Sequence, residues 1–195
     1  MDRIEETALA RLFGEARTFS RWQARDVPDG VIETALTMAY LGPTSGNCEP
    51  MRVVLVKNPG GKERLLPCVS SGNSEKVRTA PVTAIVAYDT KFYEHLPRLF
   101  PHTDARAWFT SNEALATETA FRNSSLQGAY FILALRAHGL DCGPMSGFNP
   151  GAVDAEFFPD GQNKTNFLLN IGYGDSAALH PRPPRLAFEE VARWA

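Results

Sequence analysis

The 195-residue chain lacks most of the short signatures that tie a sequence to one chemistry. It contains neither GxGxxG nor GxxxxGK[ST], so neither a dinucleotide fingerprint nor a phosphate-binding P-loop is supported. A GxSxG nucleophile elbow is also missing. Cysteine is scarce: Cys48, Cys68 and Cys142 are widely spaced, with no CxxC and no Cys/His pair at zinc spacing. They read as reduced, mostly buried thiols. The four histidines, His95, His102, His138 and His180, are scattered and read as structural or surface residues. Charge of one sign is not in excess, and a net charge of -2 argues against a nucleic-acid or anionic-membrane partner. The longest apolar run, Ala129–Leu135, is far too short to span a bilayer. "MDRIEETALARL" is acidic and amphipathic, unlike a signal or transit peptide, and a cytoplasmic location is the expectation that remains. If the chain is an enzyme, the lack of a nucleophile motif and of a metal cluster leads us to expect that its reactivity is borrowed from a cofactor.

What is present describes an ordinary globular chain, 44% hydrophobic and 22% charged, of one-domain length over residues 1–195. Asp29 is placed to cap a helix whose stripe is Val31, Ile32, Ala35, Leu36, Ala39 and Tyr40, ended by Gly42-Pro43. "MRVVLVK" (51–57) and "PVTAIVAY" (81–88) are apolar at nearly every position, as strands buried on both faces are. A short helix is expected over 62–66, after "NPGG", and a third strand in "NFLLNIGYG" (166–174). Thr110 and Glu113 form a capping-box pattern opening a long helix that stops at Gly139. From Leu126 to Leu135 that helix is apolar on almost every side, which places it in a core or across a subunit interface. "LHPRPPRLAF" has three prolines and predicts an extended arm at about 177–195, lying on a second subunit. Helices and strands without strict alternation predict an α+β fold.

Against this background "LGPTSGNCEP" (41–50) stands out: it crowds hydrogen-bonding groups at the mouth of a buried strand. Taken alone, such residues are normal loop vocabulary. "ARTFSRW" (16–22), "GPTSGNCEPMRVVLV" (42–56), "HGLDCGPMSGF" (138–148), "NIGYGD" and "RLAFEEV" follow one another in an order and spacing that resembles the FMN-dependent nitroreductase family over nearly the whole chain. "LFPHTDAR" and the long segment from "WFTSNEALATETAFRNSSLQGAYF" onward resemble its malonic semialdehyde reductase branch.

The resemblance implies a three-layer fold with a mixed central sheet, an intertwined homodimer and bound FMN. It also implies NADH or NADPH as reductant, delivering hydride to flavin N5 in a ping-pong cycle with a small acceptor. In the branch named above the acceptor is malonic semialdehyde, reduced to 3-hydroxypropionate. A broad nitro- or quinone-reducing flavoenzyme and a non-catalytic flavin-binding protein are the alternatives.

The same resemblance assigns Arg17, Thr18 and, from the arm, Arg185 to the phosphate, because paired guanidiniums suit a phosphate dianion. Arg21 is a further candidate, displaced by one position from the usual pattern. Thr44, Ser45 and Asn47 would reach the ring and ribityl chain across the subunit boundary. Asn73, followed by Lys76, would meet the pyrimidine edge, and Asn123 makes another polar contact. Pro144, Met145, Ser146 and Gly147 would lie beside the ring, with a backbone N–H at N5. Arg106 is the expected partner of an acceptor carboxylate, beneath a lid of Trp108 and Phe109. No side chain is expected to act as nucleophile, and no metal is expected.

Overall fold

The computed structural model describes residues 3–195. Four strands, β1 (Met51–Val56), β2 (Val82–Asp89), β3 (Asp141–Met145) and β4 (Asn163–Gly172), form one sheet in the order β1-β2-β4-β3. All three strand pairs run antiparallel. The parallel component is a single bridge from Thr18 to Cys142, outside the named strands. Helices α1 (Asp29–Ala39), α2 (Pro59–Leu65), α3 (Ser71–Thr79), α4 (Glu113–Ala137) and α5 (Pro150–Phe157) cover the faces, with shorter helical turns between them.

The unbroken apolar runs are explained by what lies on each side. Ala84 and Val86 of β2, with Leu169 and Ile171 of β4, point into a core shared with Ile32 and Ala35 of α1 and Phe131 and Leu135 of α4. The alternate residues Ile85, Ala87 and Leu168 point into a second core with Leu65, Val77 and Val153. With the side chain switching face at every residue, both registers must be apolar when both faces are covered. A third, smaller core gathers Cys48, Phe92, Leu96, Ala105, Phe109, Ala116 and Ala120, and seats the 90–110 excursion on the first turns of α4.

The long helix begins at Glu113 rather than at Thr110. Asn112 is its cap, its Oδ1 accepting from Leu115 N at 3.0 Å. Thr110 instead closes the preceding helical turn, Ala107–Thr110. Its buried face is more polar than a core helix requires, and Asn123, Ser124 and Gln127 there each serve the backbone of another element. Asn123 Oδ1 accepts from Ser45 N (2.8 Å), Gln127 Oε1 from Met51 N (3.0 Å), and Ser124 Oγ donates to Ala87 O (3.1 Å) beside a β-bulge. Gly128 is the price of proximity, because a Cβ there would sit 2.7 Å from the ring of Phe167. A helical glycine costs about 1 kcal/mol relative to alanine. Leu126 and Tyr130 are exposed in the single chain, so the helix is not buried all round without a covering partner.

Three elements lie outside the sequence expectation: β3, α3 and α5. Strand β3 reads "DCGPM", and its proline is tolerated because β3 is an edge strand. Helix α2 begins at Pro59, before the expected 62, because Asn58 Oδ1 accepts from Gly61 N at 2.7 Å and the proline occupies the first turn. β4 spans 163–172, three residues earlier at its start than anticipated. Asp29 is the first residue of α1 rather than its cap; its carboxylate takes Lys57 Nζ at 2.8 Å. The three cysteines are free and buried.

Candidate functional site

The first part of the site is built on the edge strand β3. Segment 17–23 runs beside it: Phe19 N donates to Cys142 O (3.0 Å), and Gln23 N donates to Tyr173 O (2.8 Å). Gly143 permits this approach, since a Cβ there would be 2.3 Å from Phe19 O. The C-terminal arm then folds back over the same segment of its own chain. Arg182 Nη2 donates to Gly14 O and Ala16 O, both at 2.8 Å, and Arg17 Nη2 donates to His180 O.

The result is a cavity of about 470 Å³ whose lining includes Arg17, Thr18, Arg136, Arg182 and Arg185. Among the described residues, four guanidiniums and no carboxylate line it. Arg17, Thr18 and Arg185 were expected here; Arg136 and Arg182 were not. Arg182 stands in the same "RPPR" stretch as Arg185 and could have been paired with it, whereas Arg136, in the last turn of α4, carries no sequence signal of its own. Arg21 does not line the cavity. Beyond Leu186 the arm is exposed, with Leu186, Phe188, Val191 and Trp194 presented to solvent.

The second part is the turn that follows β3. Gly147 O accepts three hydrogen bonds, from Ser70 N (3.0 Å), Ser70 Oγ (2.7 Å) and Asn73 Nδ2 (3.1 Å). Lys76 Nζ donates to Asn73 Oδ1 at 2.8 Å. Asn73, expected at the pyrimidine edge of the flavin, here joins the 144–147 stretch through the protein's own carbonyl. A side chain at 147 would collide with it, a Cβ lying 2.4 Å from Asn73 Nδ2. Pro144 is exposed, and Met145 and Gly147 are half-buried. Helix α3 is held at its far end by Lys62, whose amine donates to Val77 O (2.8 Å) and Ala80 O. Burial of that amine lowers its pKa to about 8.

The third part is the 42–50 turn. Gly46, Asn47 and Glu49 have φ of 55°, 50° and 40°, a concentration of left-handed conformations that only Gly and Asn adopt readily. The turn is over-determined by its neighbours: Ser45 N is taken by Asn123, Thr44 Oγ1 accepts from Glu49 N (3.3 Å), and Asn47 Nδ2 donates to Leu99 O (3.0 Å). Arg52 Nη1 donates to Glu49 O at 2.9 Å, while its Nη2 pairs with buried Asp89 at 2.8 Å. Thr44, Ser45 and Asn123 line a cavity of about 360 Å³ with Arg122 and Leu126. Cys48, next to the turn, has its thiol pushed up to about 11 by burial. It is therefore protonated and no nucleophile.

The excursion divides its expected residues. Trp108 is half exposed, beside Gly46 of the turn. Phe109 is buried, edge-on to Phe92 at 4.9 Å and parallel to Tyr93, so it belongs to the third core rather than to a lid. Glu94 grips Arg106 along one edge of its guanidinium, with Nε–Oε2 at 2.7 Å and Nη2–Oε1 at 2.8 Å. That guanidinium holds the Glu94 carboxyl below its ordinary range. Among the described residues no group of three or more His, Cys, Asp or Glu is disposed to hold a metal. No described helix is long and apolar enough to cross a membrane.

Residues 16–173 match the model of the nitroreductase family. The chain belongs to that family. Two relatives, from Ralstonia nicotianae and Burkholderia lata, are 53% and 54% identical over 193 residues, covering 99% of each chain in both comparisons. Both are provisionally named NADH dehydrogenase/NAD(P)H nitroreductase. Among solved structures, a Bacillus subtilis protein provisionally described as a nitroreductase superposes with a TM-score of 0.88 at 20% identity, covering 98% of this chain and 100% of that one. One from Exiguobacterium sibiricum, crystallised with FMN, gives 0.87 at 20% identity with full coverage of both. At that identity the likeness is one of fold. Of the expected site residues, Arg17, Thr18 and Arg185 line one cavity and Thr44, Ser45 and Asn123 another, and the two cavities have no lining residue in common.

Proposed function

We propose that the protein is an FMN-dependent NAD(P)H oxidoreductase acting as a homodimer, with malonic semialdehyde as its acceptor and 3-hydroxypropionate as product. The observation that carries the reading is that Arg17, Thr18 and Arg185 line one cavity of the chain while Thr44, Ser45 and Asn123 line another. The cationic cavity suits a phosphate dianion; the other, with Thr44, Ser45 and Asn123, suits the polar edge of a ring. Two copies facing each other would join the cationic cavity of one to the Thr44 turn of the other. Exposed Phe121, Leu126 and Tyr130 on α4, and Leu186, Phe188 and Val191 on the arm, supply apolar surface for that pairing.

The donor set fits FMN. Arg17 and Arg185, with Arg182 and Arg136 beside them, would hold the phosphate, and Thr18 would add a neutral donor. Asn73 and Lys76 would stand at the ring's pyrimidine edge. Bound FMN supplies hydride transfer between NAD(P)H and the acceptor. The chain's part is placement. Ser70 and Asn73 fix the Gly147 carbonyl, and so fix the adjoining backbone that would lie beside the ring. Trp108 would limit solvent access from the excursion. No side chain is positioned as a nucleophile, and burial keeps the three thiols protonated.

A second reading, a broad nitro- and quinone reductase, is favoured by the names of the Ralstonia and Burkholderia relatives. The experiment is direct. The purified protein is yellow, bleaches with NADH or NADPH, and recolours on adding malonic semialdehyde without oxygen. Recolouring by nitroarenes or quinones alone selects the second reading. A yellow protein that never bleaches is a flavin-binding protein without turnover. A colourless protein that takes up no FMN, or a monomer that retains it, refutes the two-chain site.

A further inference from the structure

The assignment of Thr44 and Ser45 to a ligand edge leaves a charge unexplained on the same wall. Arg122 lines that cavity, one residue before Asn123 on α4, and no carboxylate lines it with them. Its ion-pair partner is Glu118, one helical turn away, engaged through a single nitrogen and with both side chains about three-fifths exposed. Exposed pairs at this spacing are weak and exchange readily with solvent or another anion. Arg106 is held differently: its Nε/Nη2 edge takes both oxygens of Glu94, and it does not line this cavity. A two-pronged carboxylate pair is harder to displace than a contact through a single nitrogen.

The rest of the cavity suits a short acid. Thr44 Oγ1 accepts from Glu49 N, a bond that does not use its own proton. Pro43 and Leu126 supply an apolar flank. The volume, about 360 Å³, lies at the small end of ligand pockets.

We propose that Arg122, not Arg106, is the cation that recognises the acceptor, through a carboxylate held between its guanidinium and the Thr44 hydroxyl. The site then selects short-chain oxo acids over neutral aldehydes. This rests on the reading of the Thr44 turn as part of the flavin-bearing site. Glu118 acts as a stand-in anion that occupies Arg122 until the acceptor carboxylate displaces it.

The test measures binding, so it does not depend on which acceptor is physiological. Malonate, a non-reducible dicarboxylate, and dimethyl malonate, its neutral counterpart, are titrated into the FMN-loaded protein by calorimetry and by the flavin difference spectrum. Arg122→Gln is expected to weaken malonate about 10- to 100-fold, the span of a lost charge-assisted contact, and dimethyl malonate less than about threefold. Arg122→Lys recovers part of the loss, and Glu118→Gln tightens malonate. Arg106→Gln leaves malonate binding where it was. The proposal is overturned if Arg106→Gln produces the charge-selective loss. Equal weakening of both ligands by Arg122→Gln, or wild-type protein that binds malonate no better than the diester, overturns it as well. A protein without flavin shows itself as colourless before any titration; that outcome refutes the functional reading, while calorimetry still reads the carboxylate site.

Discussion

The two cavities are held in opposite ways. The 42–50 turn is fixed from within: buried Asn123, Asn47 and Arg52 each supply a hydrogen bond, and the turn tolerates three left-handed residues because these neighbours leave it no alternative. The arginine cavity is fixed from outside. Its walls are an edge segment and an exposed arm, joined by guanidiniums that donate to backbone carbonyls. Four like charges around one space repel one another. A dianion would relieve that repulsion, so a bound phosphate would itself help to hold the arm. One wall is preorganised; the other would be completed by the proposed ligand.

The largest expected effect breaks the second wall. Arg17→Ala removes both a phosphate cation and the tether to His180. FMN affinity should fall about 100-fold, equivalent to about 2.7 kcal/mol, with little change in the unfolding midpoint of the flavin-free protein. Fluorescence recovery of released FMN measures the first and urea unfolding the second. An equal loss of apo stability would erase the contrast between the two cavities.

Asn123→Ala should do the reverse. It removes the acceptor of Ser45 N and empties the space of a buried amide beneath the turn. The expected loss is about 2–3 kcal/mol of stability with or without FMN. Leucine at 123 should fare no better, since bulk does not replace the acceptor.

The smallest effect sharpens the comparison at the third part of the site. Lys62 anchors α3, which carries Asn73 and Lys76, and its amine is held down to about 8 by burial. The unfolded amine keeps its ordinary, higher value. Between pH 8 and about 10.4 the unfolded chain therefore binds more protons, and this group's contribution to stability rises with pH. Below pH 8 the folded state bears the cost of a buried charge. Relative to Lys62→Met, the wild type should gain stability from pH 7 to pH 10. Urea midpoints at several pH values test the sign, and a difference that shrinks over that window would refute it.

How much of this was legible beforehand differs by element. Strand β2 was visible because burial on both faces forces apolar residues into both registers; β1 showed the same apolar run, yet it is an edge strand with a half-buried middle and an exposed Leu55. The long helix was visible, but its cap was misplaced: Thr110 and Asn112 both precede acidic residues, and only the path of the excursion selects Asn112. β3 was hidden by Gly143 and Pro144, which look like breakers until the sheet shows an edge position and a backbone crowding Gly143. Phe109 and Trp108 are adjacent aromatics that the chain sends to opposite fates, one to a core and one to the surface of the turn. Arg106 looked available because Glu94, twelve residues away, is matched to it only by the fold.

By itself the sequence determined the class of the molecule: its α+β composition, its lack of a metal or nucleophile motif, and the family that the ordered motifs resemble. Those properties are local or additive, so they survive without coordinates. Tertiary structure alone decided which arginines meet in one cavity, which are already paired, and which donors on the 42–50 turn are spent on the protein itself. The reason is physical. A hydrogen bond or ion pair between residues 78, 125 or 163 positions apart depends on distances of about 3 Å that only the packed chain sets.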